Sequence, residues 1–164
     1  MKKLIILMCI VGLTITATTK SFAQCEGFIF HIGCSENIVE TGMYPARIDA
    51  AIDYWHRIGF ISFTADFPSK ADERQSIGLR GGFHFAGYYF GCSPYGKLEY
   101  DYYTKVKPMS GVSVGGGLLF NVRFLEWFGI FCDINQTYPL NFDESIASQR
   151  DKSTKFSFGL SMFF

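Results

Sequence analysis

Beyond residue 23 the chain has no long apolar run, although 48% of its residues are hydrophobic and its mean hydropathy is +0.13. A membrane-crossing helix needs ~20 consecutive apolar residues, so that mode of insertion is excluded for the rest of the chain. There is no excess of charge either: 15 basic residues meet 15 acidic ones, which argues against nucleic acid or an anionic surface as a partner. No Cys-x-x-Cys occurs, and His31, His56 and His84 are too dispersed to form a metal motif, so zinc and thioredoxin-like chemistry are not expected and no cofactor is implied. What the chain has instead is aromatic: 18 phenylalanines and 9 tyrosines, scattered among small and polar residues.

The start is set aside before any fold reasoning. Lys2 and Lys3 precede an apolar run from Leu4 to Leu13, and Ser21, Phe22 and Ala23 supply a cleavage region, the pattern of a secretory signal peptide over residues 1–23. Gln24 is not the small residue that lipid attachment at Cys25 would want beside it. Residues 24–164 form one domain, and loss of Lys2, Lys3 and Lys20 with the leader takes its net charge from 0 to −3. Export places Cys25, Cys34, Cys92 and Cys132 in an oxidising compartment, where they either pair, in a connectivity sequence cannot decide, or remain as small apolar residues.

Alternation organises the rest. In the terminal segment Phe156, Phe158, Leu160, Met162 and Phe164 share one parity against Ser157, Gly159 and Ser161, the signature of a strand with two unlike faces. Residues 110–121 set Val112, Val114, Leu118 and Phe120 against Gly111, Ser113, Gly115, Gly117 and Asn121, and residues 76–90 set Ile77, Leu79, Phe83, Phe85 and Tyr89 against Gly78, Arg80, Gly82, His84 and Ala86. From 97 to 106, Leu98, Tyr100, Tyr102 and Val106 oppose Lys97, Glu99, Asp101, Tyr103 and Lys105. Similar patterns over 126–136, 57–67, 47–54 and 26–34 bring the expected number to about eight. Connections alternate in length: Ser35 to Tyr44, Pro68 to Gln75 and Thr137 to Ser153 are long, whereas joints at 55–57, 91–96 and 122–125 are short. The short-joint end gathers Tyr54, Trp55, Tyr89, Tyr95, Phe124, Trp127 and Phe164, as an aromatic girdle would.

These features predict an all-β, antiparallel, up-and-down transmembrane barrel. Residue size decides between lipid and water outside, because the polar parity is rich in Gly, Ser and Ala where a solvated surface would carry Lys, Glu and Thr. A narrow lumen would then enclose Arg80, His84, Lys97, Glu99, Asp101 and Lys105 as an ion-pair network, with Asp49, Asp53 and Asp133 as further members. A soluble periplasmic lipocalin-like barrel around an apolar ligand is the inside-out alternative.

The pattern resembles that of the small outer-membrane β-barrel proteins of Gram-negative bacteria, in the form common among Bacteroidetes. The resemblance spans nearly all of residues 24–164. Its most specific part is Lys155 to Phe164, which looks like the β-signal read by the barrel-assembly machinery, carried by Phe156, Phe158, Leu160, Met162 and Phe164. It implies a monomer located in the outer membrane, with membrane lipids and the assembly machinery as partners.

Two motifs carry catalytic associations and neither fits. Gly111-Val112-Ser113-Val114-Gly115 matches a nucleophile elbow, but alternation runs straight through Ser113 where a sharp turn is required. Gly91 to Lys97 approaches a phosphate-binding loop, yet Leu98 stands where Ser or Thr is needed. Small barrels that modify lipid A use a histidine with a serine, but their local signatures are missing around His84, so no enzyme is expected. The expected role is a membrane scaffold or a surface-binding protein with an unidentified protein partner. The connection from Thr137 to Ser153, with Asp143, Glu144, Arg150, Asp151 and Lys152, is the candidate contact loop.

Overall fold

The computed structural model describes residues 26–39, 42–43, 47–56, 58–68, 75–86, 89–103, 109–141 and 153–164. The expected signal peptide at 1–23, Cys25, Lys105 and the expected contact-loop residues Asp143, Glu144, Arg150, Asp151 and Lys152 lie outside them.

Eight long strands appear among the described residues: β1 Gly27–Val39, β2 Arg47–His56, β3 Gly59–Pro68, β4 Gln75–Phe83, β5 Phe90–Tyr103, β6 Met109–Leu125, β7 Phe128–Asn141 and β8 Ser153–Phe163. Each pairs antiparallel with its sequence neighbour, and β8 returns to β1 over Ile29↔Phe163 to Ile38↔Thr154, so the sheet closes on itself. Closure leaves no free sheet edge within the barrel, the condition for placing strands in hydrocarbon. Two-residue strands Gly42–Met43 and Phe85–Ala86 extend the pairing beside β1 and β5.

Register gives the stagger. Followed once around from Gly27 through Trp55, Phe60, Gly82, Tyr95, Gly117, Asn135 and Lys155, the ladder returns to β1 at Asn37, an offset of ten residues. Such shear tilts the strands by about 40° in a barrel narrow enough for side chains to fill.

The expected segments are all present, with two short joints misplaced: residues 122–125 lie in β6, and the chain turns at Glu126 and Trp127 instead. The turn expected at 91–96 is straight strand: Gly91 to Gly96 lie in β5, and Pro94 is paired with Leu118. The connection lies earlier, between Phe85–Ala86 and Phe90. Proline has no N–H to give, and the ladder to β4 is interrupted at His84, whose own N–H turns to the carbonyl of Ile58 at 3.1 Å. Parity survives that break, which explains why the pattern through Tyr89 read as a single strand.

The apolar parity is outside. Phe158 and Val114 are 56% and 40% exposed, whereas their neighbours Ser157 and Ser113 are 2% and 0% exposed. A soluble barrel needs the reverse. Tyr54, Tyr89, Phe124, Trp127 and Phe164 face outward as the girdle requires, but Trp55 and Tyr95 are buried inside. Both lie on the inward parity of their strands, and each has a polar atom that reaches a lumenal carboxylate.

The outward cysteines alternate with phenylalanines along one row, Cys92, Phe120, Cys132, Phe158 and Cys34. Each is therefore two strand spacings from the next, about 9.5 Å, beyond the ~7 Å limit for a disulfide. Cys34, Cys92 and Cys132 are accordingly free thiols.

The enclosed polar network

Inward parity directs a polar side chain from every strand into a space without bulk water. At the short-joint end that space is filled by an apolar plug of Ile29, Trp55, Phe60, Tyr95, Leu119, Phe131 and Phe163. Beyond it, among the described residues, Arg47, Arg80, Lys97 and Lys155 are buried with Asp49, Asp53, Asp66, Glu99, Asp101 and Asp133. Burial at this depth is tolerated only where charges are paired and hydrogen-bonded.

Arg80 of β4 is the hub. Its Nη2 donates to both oxygens of Asp53 at 2.9 and 3.2 Å, its Nη1 to Asp133 Oδ2 at 3.2 Å, and its Nε to Ser62 Oγ at 3.0 Å. Its guanidinium also lies 5.8 Å from the Phe60 ring centre and 5.4 Å from that of Tyr95, where ring quadrupoles favour a cation. Asp53 further accepts from Ser62 Oγ at 2.5 Å and Trp55 Nε1 at 3.3 Å, and contacts His31 Nε2 at 3.1 Å. Tyr95 donates to Asp133 at 2.7 Å, while His31 Nδ1 meets Ser161 Oγ at 2.8 Å and Ser161 donates to Asn121 Oδ1 at 3.3 Å. Taken in chain order, His31, Asp53, Ser62, Arg80, Tyr95, Asn121, Asp133 and Ser161 come from β1 to β8 respectively. One connected network thus ties all eight strands across the lumen.

Further groups lie beside it. Lys155 bridges Asp49 at 2.8 Å and Asp66 at 2.6 Å, and these carboxylates accept from Ser35 and Ser76, each at 3.0 Å. Lys97 pairs with Glu99 at 2.6 Å, and Ser113 donates to Asp101 at 2.8 Å. His31, Asp49, Asp66, Arg80, Lys97, Asp133, Lys155 and Ser157 border a space of ≈ 20 Å³, about the size needed for one water. Inward glycines make room for these long side chains: a Cβ on Gly78 would lie 2.9 Å from Thr64 Oγ1 and 3.1 Å from Glu99 Cγ.

Of the expected lumenal residues, Arg80, Lys97, Glu99 and Asp101 are brought into this interior, and Asp49, Asp53 and Asp133 join them. His84 is also enclosed, but at the plug, stacked on Trp55 at 4.4 Å. His31, Asp66, Tyr95, Lys155 and Ser161 were not anticipated as members. Their signal was available in the alternation, since each occupies the inward parity of its strand.

Ser161, His31 and Asp53 have the order of a nucleophile, base and orienting acid. They are 0%, 1% and 0% exposed, however, and a space for one water admits no acyl substrate. Ser113 sits mid-strand, paired with Glu99, with none of the turn that an elbow needs. Among the described residues no group of three or more His, Cys, Asp or Glu is arranged to hold a metal ion.

Solved structures share this architecture at low identity. The N-terminal β-barrel domain of Pseudomonas aeruginosa OprF aligns with a TM-score of 0.63 and 13% identity, covering 86% of this chain and 100% of that domain. A de novo designed transmembrane β-barrel aligns at 0.56 with 11% identity, over 86% of this chain and 98% of the design. Neisserial surface protein A aligns at 0.54 with 11% identity, over 84% and 96%. No protein-family description and no curated protein sequence matches the chain. The shared feature is the fold, a closed antiparallel β-barrel.

Proposed function

We propose that this chain is an integral outer-membrane barrel protein, closed to solutes by its own side chains, that serves as a membrane scaffold or binds a partner at its surface. The observation carrying this reading is the inversion of faces: bulky apolar side chains cover the outside, while ten Lys, Arg, Asp and Glu side chains among the described residues are enclosed. A charge facing mid-bilayer costs ~2–4 kcal/mol, and the outward parity almost avoids charge. Outer-membrane lipids are then the immediate partners. The terminal strand, with Phe156, Phe158, Leu160, Met162 and Phe164 along its outer face, suits recognition by the assembly machinery during insertion. Closure of the barrel within one chain favours a monomer.

The surface role is assigned to the connections opposite the short joints. The stretch with Asp143, Glu144, Arg150, Asp151 and Lys152 is the longest of these connections, carries five charged side chains and is the proposed contact segment. An enzymatic reading is disfavoured because the serines and histidines with partners suited to catalysis are enclosed.

Fractionation tests the location. The protein is expected to remain with outer-membrane sediment after carbonate and high-salt washing, and its release into the soluble fraction would contradict the proposal. Replacing residues 143–152 by a short Gly/Ser connection is expected to leave membrane insertion intact while abolishing any binding to host or neighbouring-cell surfaces.

A further inference from the structure

We propose that the lumen binds one ordered water at Ser157, and that this water joins the Lys155 group of ion pairs to the Arg80 hub. Ser157 is buried, and its Oγ meets no hydrogen-bond partner in the protein, although a hydroxyl carries one donor and two acceptor positions and buried polar groups are otherwise satisfied. It borders the space of ≈ 20 Å³ in the lumen. A water needs about 10–15 Å³ and a few polar partners, and the spaces that stay dry are apolar. Here the border carries Asp49, Asp66 and Asp133 against Arg80, Lys97 and Lys155, three formal charges of each sign. Equal charge of both signs selects a neutral dipole over an ion.

Register places Ser157 between the two groups. Its partner on β1 is Ser35, which donates to Asp49 of the Lys155 group. Its partner on β7 is Asp133, which accepts from Arg80 and Tyr95 of the hub. A water that accepts the Ser157 hydroxyl proton keeps two protons of its own to donate, one to a carboxylate of each group. An ionised carboxylate offers about four acceptor positions, so Asp49 and Asp133 can each take a bond beyond those from Ser35, Lys155, Arg80 and Tyr95. Ser157 thus acts through the water, which makes contacts the hydroxyl alone does not make.

Slow exchange of this water rests on the reading of a lumen closed to solutes. Bilayer recordings read that closure separately, so failure of the water site and failure of the closed barrel are distinguishable.

Oxygen-17 relaxation dispersion of the folded protein in detergent micelles tests the site, because it follows the water oxygen and is blind to proton exchange by hydroxyl and ammonium groups. The wild type is expected to show long-lived water, and folded Ser157→Val to show one such water fewer, since one added methyl replaces the hydroxyl and the other fills the space. Ala51, on the inward parity of β2, borders the same space, and its methyl should show cross-relaxation with a long-lived water in the wild type. The proposal is overturned if the oxygen-17 signal is equal in the wild type and folded Ser157→Val. It is equally overturned if the Ala51 methyl of the wild type shows no contact with water, a result that decides the question even where the variant does not refold.

Discussion

At the scale of single residues, the central quantity is the cost of orphaning a buried charge. Arg80→Met would leave Asp53 and Asp133 without their shared cation, and breaking one side of a buried pair typically costs ~3–5 kcal/mol. Urea unfolding in detergent or lipid should show a loss of that order. The exposed pair of His56 and Glu26, 3.3 Å apart at the short-joint end, gives the contrast, and His56→Ala should change stability by less than ~1 kcal/mol. Equal losses at the two sites would mean that the lumen is hydrated like the surface. Ser161 offers a chemical check at the same scale. A serine-directed fluorophosphonate should leave the folded protein unmodified, and stoichiometric labelling of Ser161 would reopen the enzymatic reading.

At the scale of the strand, what matters is which parity meets which medium. Phe158→Arg puts a charge on the outward face at the middle of β8, where it should cost about 2–4 kcal/mol in a bilayer. Inward, the limit is volume: Gly117→Val should destabilise the fold, because a Cβ there would lie 2.6 Å from Asn135 Cβ and 2.8 Å from Tyr95 Oη. Refolding yield into vesicles reads both substitutions. Alternation was legible in the sequence, and with it the strands, the outward Phe residues and the inward Arg80, Lys97, Glu99 and Asp101. Chain length and composition could not reveal who meets whom. His31 and Ser161 are separated by 130 residues, and Lys155 and Asp49 by 106, so only barrel closure brings them together. The joint near Pro94 was misread for a different reason: Pro and Gly usually mark turns, but here they lie in an unbroken alternation from Gly91 to Asp101. Trp55 and Tyr95 were assigned to the girdle by residue type, although parity already turned them inward.

At the scale of the whole molecule, one network crossing from β1 to β8 and an apolar plug at one end make the barrel a filled cylinder. Planar-bilayer recordings should accordingly show no steady conductance. The account rests on the claim that the Phe-bearing surface meets hydrocarbon and the charged surface is enclosed. Spin labels at Phe158 and Val114, compared with labels at Ser157 and Ser113 in lipid vesicles, test that claim most directly. Oxygen dissolved in the bilayer should relax the first pair strongly, and the second pair should be protected from it. Strong oxygen relaxation at Ser157 and Ser113, with Phe158 and Val114 shielded, would contradict it.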